Sequence, residues 1–165
     1  MQWPKGRGGS IPLADTSPRL SAVRLSEPEL RVWLAFLSAQ HSLLTSLDGE
    51  LQREHGISLP YYEVLLFLSR APDRRMRMAE LARSVLLSPS GLTRLVDRMV
   101  ADGTVERLPC PGDARAANAH LTDKGFAKLR RAARTHVRGI REHFLDRLDE
   151  DQREGFRCTL ERLTS

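Results

Sequence analysis

The sequence predicts a mainly helical fold with one short β-hairpin near its centre, on three observations. Apolar residues recur every three or four positions over two long stretches, 27–56 and 123–163. Between them lie two short helical segments joined by a tight turn. Directly after these come two strand-length runs around a tip rich in Pro and Gly.

Taken in order, residues 1–26 read as a flexible basic arm, because Pro4, Gly6, Gly8, Gly9, Pro12 and Pro18 break any periodicity. A long helix begins at Pro28 with Ser26 as its N-cap and ends at Gly56. Leu30, Trp33, Leu34, Leu37, His41, Leu44, Leu47 and Leu51 form its main stripe, and Val32, Phe36 and Leu43 form a second. A helix apolar over so much of its surface needs covering on more than one side. In a chain of 165 residues a second subunit is an economical cover. A second helix is expected from about Pro60 to Ser69, with Val64, Leu65 and Leu68 inward. Residues 78–86 form a short helix, and Ser88 then caps another, with Pro89 at its first position. That helix buries Leu92, Leu95, Val96 and Met99 and stops at Gly103. Thr104–Leu108 and Asn118–Leu121 are the expected strands, flanking an exposed tip over 109–117. Thr122 caps a long helix with Phe126, Leu129, Ala133, Val137, Ile140, Phe144 and Leu148 on one face. Asp149 to Gln152 has the form of a capping box opening a last helix, with Phe156, Leu160 and Leu163 inward.

The net charge of +5 is unevenly distributed. Residues 74–141 carry a net +9, between acidic segments of −4 (27–73) and −3 (142–165), while the arm carries +3. A basic block of this kind is the electrostatic footprint of a polyanion-binding segment, or else an Arg-rich solvated face. No apolar run approaches membrane-spanning length, the N-terminus lacks a secretory signal's apolar core, and two cysteines make no disulfide scaffold. These features together lead to the expectation of a soluble cytoplasmic protein.

The helix that Ser88 opens separates its faces cleanly. With the apolar residues inward, Ser90, Thr93, Arg94, Asp97 and Arg98 remain outside. Arg94 suits a bidentate contact to guanine, and Arg98 lies one turn on, where a phosphate would be. An ordinary amphipathic surface helix would show the same face, but would not explain the basic hairpin that follows. There Arg115 sits near the tip, two residues from Asp113, which can orient it toward a narrow, electronegative minor groove. A helix-turn-helix followed by such a hairpin is a winged helix, and the combination is more specific than either part.

Residues 78–125 resemble the DNA-binding core of the MarR (multiple antibiotic resistance regulator) family of bacterial winged helix-turn-helix transcriptional regulators. The resembling stretches are Leu81-Ala82, the run from Ser88 to Met99, Asp102-Gly103, Val105, Arg107, Asp113-Ala114-Arg115 and Leu121-Thr122-Asp123-Lys124-Gly125. Flanking helices of matching order and length extend the resemblance to about residues 27–163. It implies a winged-helix homodimer with intertwined terminal helices, and a repressor (less often an activator) whose DNA affinity falls when a ligand, metal or oxidant is sensed. The domains are then 57–122 for DNA binding and 27–56 with 123–163 for dimerisation. It casts Ser88, Ser90, Thr93 and Arg94 as major-groove readers and Arg115 as the wing arginine. The expected partner is a pseudo-palindromic duplex with half-sites about 10 bp apart or a multiple of that.

Two departures matter. The tip Pro109-Cys110-Pro111-Gly112 is unusually proline-rich for the family. The reactive cysteine that the peroxide-sensing branch carries early in its first long helix is absent from 27–56, which disfavours that branch. Cys110, near Arg107 and Arg115, reads as an incidental thiol or as a redox sensor with a lowered pKa; Cys158 reads as a small core residue. Family pockets lie between the dimer helices and the winged domain, so the candidate effector-lining residues are Trp33, His41, Tyr61 and Tyr62, suited to a small aromatic ligand. Trp33 reads better as plain core packing, since it lies on the main apolar stripe. No phosphate-binding loop, dinucleotide fingerprint, zinc-protease motif or nucleophile elbow is present, so neither an enzyme nor a cofactor is expected. The alternatives are a zinc-responsive regulator of the same fold, through His136 and His143 with Glu142 or Asp146, and a non-regulatory assembly or RNA-binding module.

Overall fold

The computed structural model describes residues 24–110 and 113–164, with the side chains of 110–116 outside that description. Most of the expected N-terminal arm, and the side chains of Cys110, Asp113 and Arg115, therefore lie outside the described residues. The chain divides into two compact units, one up to Leu37 and one from Ser38.

The first unit holds the start of helix α1 (Glu27–His55). Glu29 caps it: its Oε2 accepts from both the backbone N–H and the hydroxyl of Ser26, at 2.7 Å each. This is half of a capping box, and the two bonds hold the Glu29 carboxyl below its usual pKa. Beyond the cap, Leu30, Val32, Trp33, Leu34, Phe36 and Leu37 are all exposed in the single chain. Trp33 stacks on Phe36 at 6.1 Å between ring centroids.

In the second unit the core is built by α2 (Leu59–Arg70), α3 (Met78–Ser84), α4 (Pro89–Ala101) and α5 (Asp123–His143) around a small sheet. Leu51, Val64, Leu65, Leu68, Leu81 and Val96 are fully buried, each contributing roughly 1.5–3 kcal/mol of burial. Strands β1 (Arg75–Arg77), β2 (Val105–Cys110) and β3 (Asp113–Leu121) form an antiparallel sheet in the order β1-β3-β2. Helix α6 (Glu150–Thr164) is the last element.

Several expectations need correction. Strand β1 was absent from the sequence reading; it pairs Arg75 with His120 and Arg77 with Asn118. The wing strands are longer than expected, pairing Pro109 with Ala117 and Cys110 with Asp113, and so reach into the stretch 109–117 expected as an exposed tip. Pro109 is tolerated because β2 is an edge strand and needs no outward donor there. Helix α3 stops at Ser84, since Val85 is its C-cap and Leu86 turns left-handed at φ 54°. Finally, the fully buried face of α5 consists of the small residues Gly125, Ala132, Thr135 and Gly139 beside Leu129; of the expected face Phe126, Ala133 and Ile140 pack against the core in part, while Val137 is exposed. Phe156 and Leu163 are exposed on α6, and so is Cys158, which is not a core residue in the single chain. The reciprocal cap of α6 is as expected: Asp149 Oδ1 accepts from Gln152 N and Gln152 Oε1 from Asp149 N.

Candidate nucleic-acid interface

Helix α4 carries the candidate contact face. Ser88 caps it, its Oγ accepting from Gly91 N at 3.1 Å, and Pro89 occupies the first turn. The cap occupies one lone pair of the Ser88 hydroxyl, which also lies 3.3 Å from Ser90 Oγ. Thr93 donates to the Pro89 carbonyl at 2.9 Å, which fixes its rotamer and leaves its acceptor side free to face outward. Leu92, Leu95, Val96 and Met99 are buried, whereas Ser90, Thr93, Arg94, Asp97 and Arg98 are exposed. The inward and outward sets are those the sequence specifies.

One residue given no role at that stage joins the helix to the wing. Arg107, on β2, lies 2.9 Å from Asp97 Oδ1 and donates to the Thr93 carbonyl at 3.3 Å. This half-exposed pair adds little stability by itself. It does neutralise the acidic side chain on the α4 face and links the helix to the first strand of the hairpin. The base of the wing is pinned further by Thr122, whose hydroxyl donates to the Gly103 carbonyl at 2.9 Å and accepts from Gly125 N at 3.0 Å. Gly103 is itself left-handed at φ 67°, which ends α4 and turns the chain into β2.

The far end of α4 is anchored by Tyr61. Its hydroxyl donates to Asp102 Oδ2 at 2.9 Å and lies 2.6 Å from Thr104 Oγ1, which donates in turn to the Met99 carbonyl. Burial pushes the Tyr61 hydroxyl up to about 12, with the Asp102 carboxylate adding to it, so it stays a neutral donor. Tyr62 is buried against His136, 4.4 Å between ring centroids. Of the four candidate effector residues, then, Tyr61 and Tyr62 are core residues of the second unit, while Trp33 and His41 are exposed. Tyr61 also borders a hollow of about 360 Å³ shared with Gln52, Ser58, Arg98 and Asp102.

The histidine pair expected to be able to hold zinc does not come together. His136 is packed on Tyr62, and burial lowers its pKa. His143 instead meets Glu50 on α1, with Nε2 2.6 Å from Glu50 Oε1.

Comparison with known proteins agrees with this geometry. The sequence pattern of the MarR family matches residues 55–116. A MarR family transcriptional regulator from Streptomyces coelicolor, solved in complex with DNA, superposes with a TM-score of 0.80 at 36% identity, over 86% of this chain and 89% of that one. The HTH-type transcriptional regulator PecS of Dickeya dadantii is 32% identical over 111 residues, which span 67% of this chain and 66% of PecS. An HTH-type transcriptional repressor of Mycobacterium bovis is 32% identical over 110 residues, spanning 67% of this chain and 77% of the repressor. No helix among the described residues is long and apolar enough to cross a membrane.

Proposed function

Because the chain belongs to the MarR family of winged-helix regulators, we propose that it regulates transcription as a homodimer on a pseudo-palindromic double-stranded operator, most simply as a ligand-responsive repressor. The observation that carries this reading is the exposed face of α4, linked by Arg107 to the hairpin that follows it. Ser90, Thr93 and Arg94 read base edges in the major groove, with Ser88 at the start of the same helix. Arg98 holds a phosphate, and Arg115, steered by Asp113, enters the adjoining minor groove.

The homodimer rests on the apolar surface that each unit leaves uncovered. Six large apolar side chains of α1 in the first unit, from Leu30 to Leu37, and Val137, Phe156 and Leu163 of the second, are exposed in the single chain. A second copy of the chain removes them from water. The hollow beside Tyr61 supports an effector-responsive reading, since Arg98 forms part of its wall and a molecule lodged there would press on the contact helix.

A binding titration with matched variants separates the roles. Arg94→Ala is expected to cost about 1–3 kcal/mol on the preferred duplex and to flatten discrimination between duplexes that differ at the base pair it reads. Arg98→Ala weakens every sequence alike and lowers the salt slope by about one unit per phosphate lost. Arg115→Ala loses most on A·T-rich flanks, where the minor groove is narrow. Identical behaviour of Arg94→Ala and Arg98→Ala across sequences would contradict the division between reader and anchor. Equal losses for Arg115→Ala on A·T-rich and G·C-rich flanks would remove the wing from the account.

A further inference from the structure

We propose that Glu50, Glu142 and His143 form a binding site for a transition-metal dication of the zinc or cobalt type, between the C-terminal parts of α1 and α5. One ligand atom from each of the three lies within 4.8 Å of the others. A metal with bonds of about 2.0–2.2 Å holds such atoms about 3.4 Å from one another, so the exposed Glu142 side chain rotates in while the 2.6 Å contact of His143 with Glu50 opens and is replaced by bonds to the ion. The imidazole favours zinc or cobalt over magnesium or calcium, whose ligands are oxygens.

The orphaned oxygen of Glu50 points to a cation more directly than the cluster does. Glu50 is 8% exposed, and its Oε2 is buried without a hydrogen-bond partner. Its other oxygen is taken by His143 at 2.6 Å. A buried carboxylate oxygen with no donor is costly, and a bound ion removes that cost. Gly139 is what lets the carboxylate sit there, because a Cβ at that position would stand 2.8 Å from Glu50 Oε2.

Arg138 is the competing cation, and its geometry places it elsewhere. It is 3.8 Å from Glu50 Oε2 and 3.8 Å from Glu142 Oε1, outside hydrogen-bond range of both, while it is bonded to Glu54. Glu54 also accepts from Thr135, so Arg138 keeps a partner when the ion takes Glu50 and Glu142. The sequence pattern suggested His136 as the second ligand; the fold buries His136 against Tyr62 and brings Glu50 from α1 in its place. A bound ion ties α1 to α5.

The test needs no DNA, so its outcome is independent of the operator-binding proposal. Full-length protein stripped by chelator is titrated with Co²⁺, followed by its visible absorption, and with Zn²⁺ by calorimetry. One equivalent per chain is expected. Glu142→Gln and His143→Ala should each weaken binding by at least about ten-fold, the lower end of what even outer-shell changes cost. Glu142 is half-exposed, so its substitution leaves the fold intact. His136→Ala should leave the affinity unchanged. Absence of saturable binding, or binding that survives either ligand substitution, would overturn the site.

Discussion

Leu34→Glu is expected to convert the protein to monomers and to weaken binding to a two-half-site duplex by at least about a hundred-fold, the scale of avidity lost when two linked contacts become independent. Leu34 is 53% exposed in the single chain, among Leu30, Trp33 and Leu37 on the main stripe of α1. A glutamate there costs the isolated helix little, because its helix propensity is close to that of leucine. In a dimer the same carboxylate is buried without a partner in each copy, which costs several kcal/mol or forces the copies apart. Sedimentation at low micromolar concentration checks the assembly, and a titration on one and two half-sites checks the function. A variant that stays dimeric would show that this face is not the interface.

Gly125→Ala is the second large effect, with an expected loss of about 3 kcal/mol of stability, the upper end for overpacking a tight site. A Cβ at Gly125 would stand 2.1 Å from the Thr104 carbonyl oxygen and 2.7 Å from Leu121 Cδ1. The first of these is backbone, so the neighbour cannot swing away. Relief requires α5 to move off the base of the wing, which breaks the bonds of Thr122 to Gly103 and Gly125. Denaturant unfolding should show a lower midpoint with an unchanged slope. A wild-type midpoint would mean that the junction is looser than its geometry.

The parts of the fold that local chemistry determines were legible in the sequence. Ser88 with Pro89, Thr122, and Asp149 with Gln152 mark helix starts because a cap is made within three residues. The two faces of α4 were legible because its period is unbroken. Strand β1 was not, since Arg75-Met76-Arg77 is three residues long, too short for its alternation to stand out, and exists through pairing with β3, more than forty residues away. The inner face of α5 was legible in part: Leu129 is buried and Phe126, Ala133 and Ile140 pack against the core, but Val137 is exposed and the small residues beside them were missed because periodicity weights the largest side chains. Close approach selects those small residues, Gly125 at the Thr104 carbonyl and Gly139 at Leu47 and Glu50. In the candidate site, the outward exposure of Ser90, Thr93, Arg94 and Arg98 was readable from one helix. The contacts of Arg107 and Glu50 were not, because each is made to a partner on another element.

Selection of duplexes from a random library by the full-length protein, with Arg94→Ala run in parallel, tests the central claim most directly. The account predicts an enriched inverted repeat whose half-sites are centred about 10 bp apart or a multiple of that, with at least one position in each half losing its preference in the variant. Enrichment of no symmetric sequence, or of the same motif with equal strength by both proteins, would contradict it.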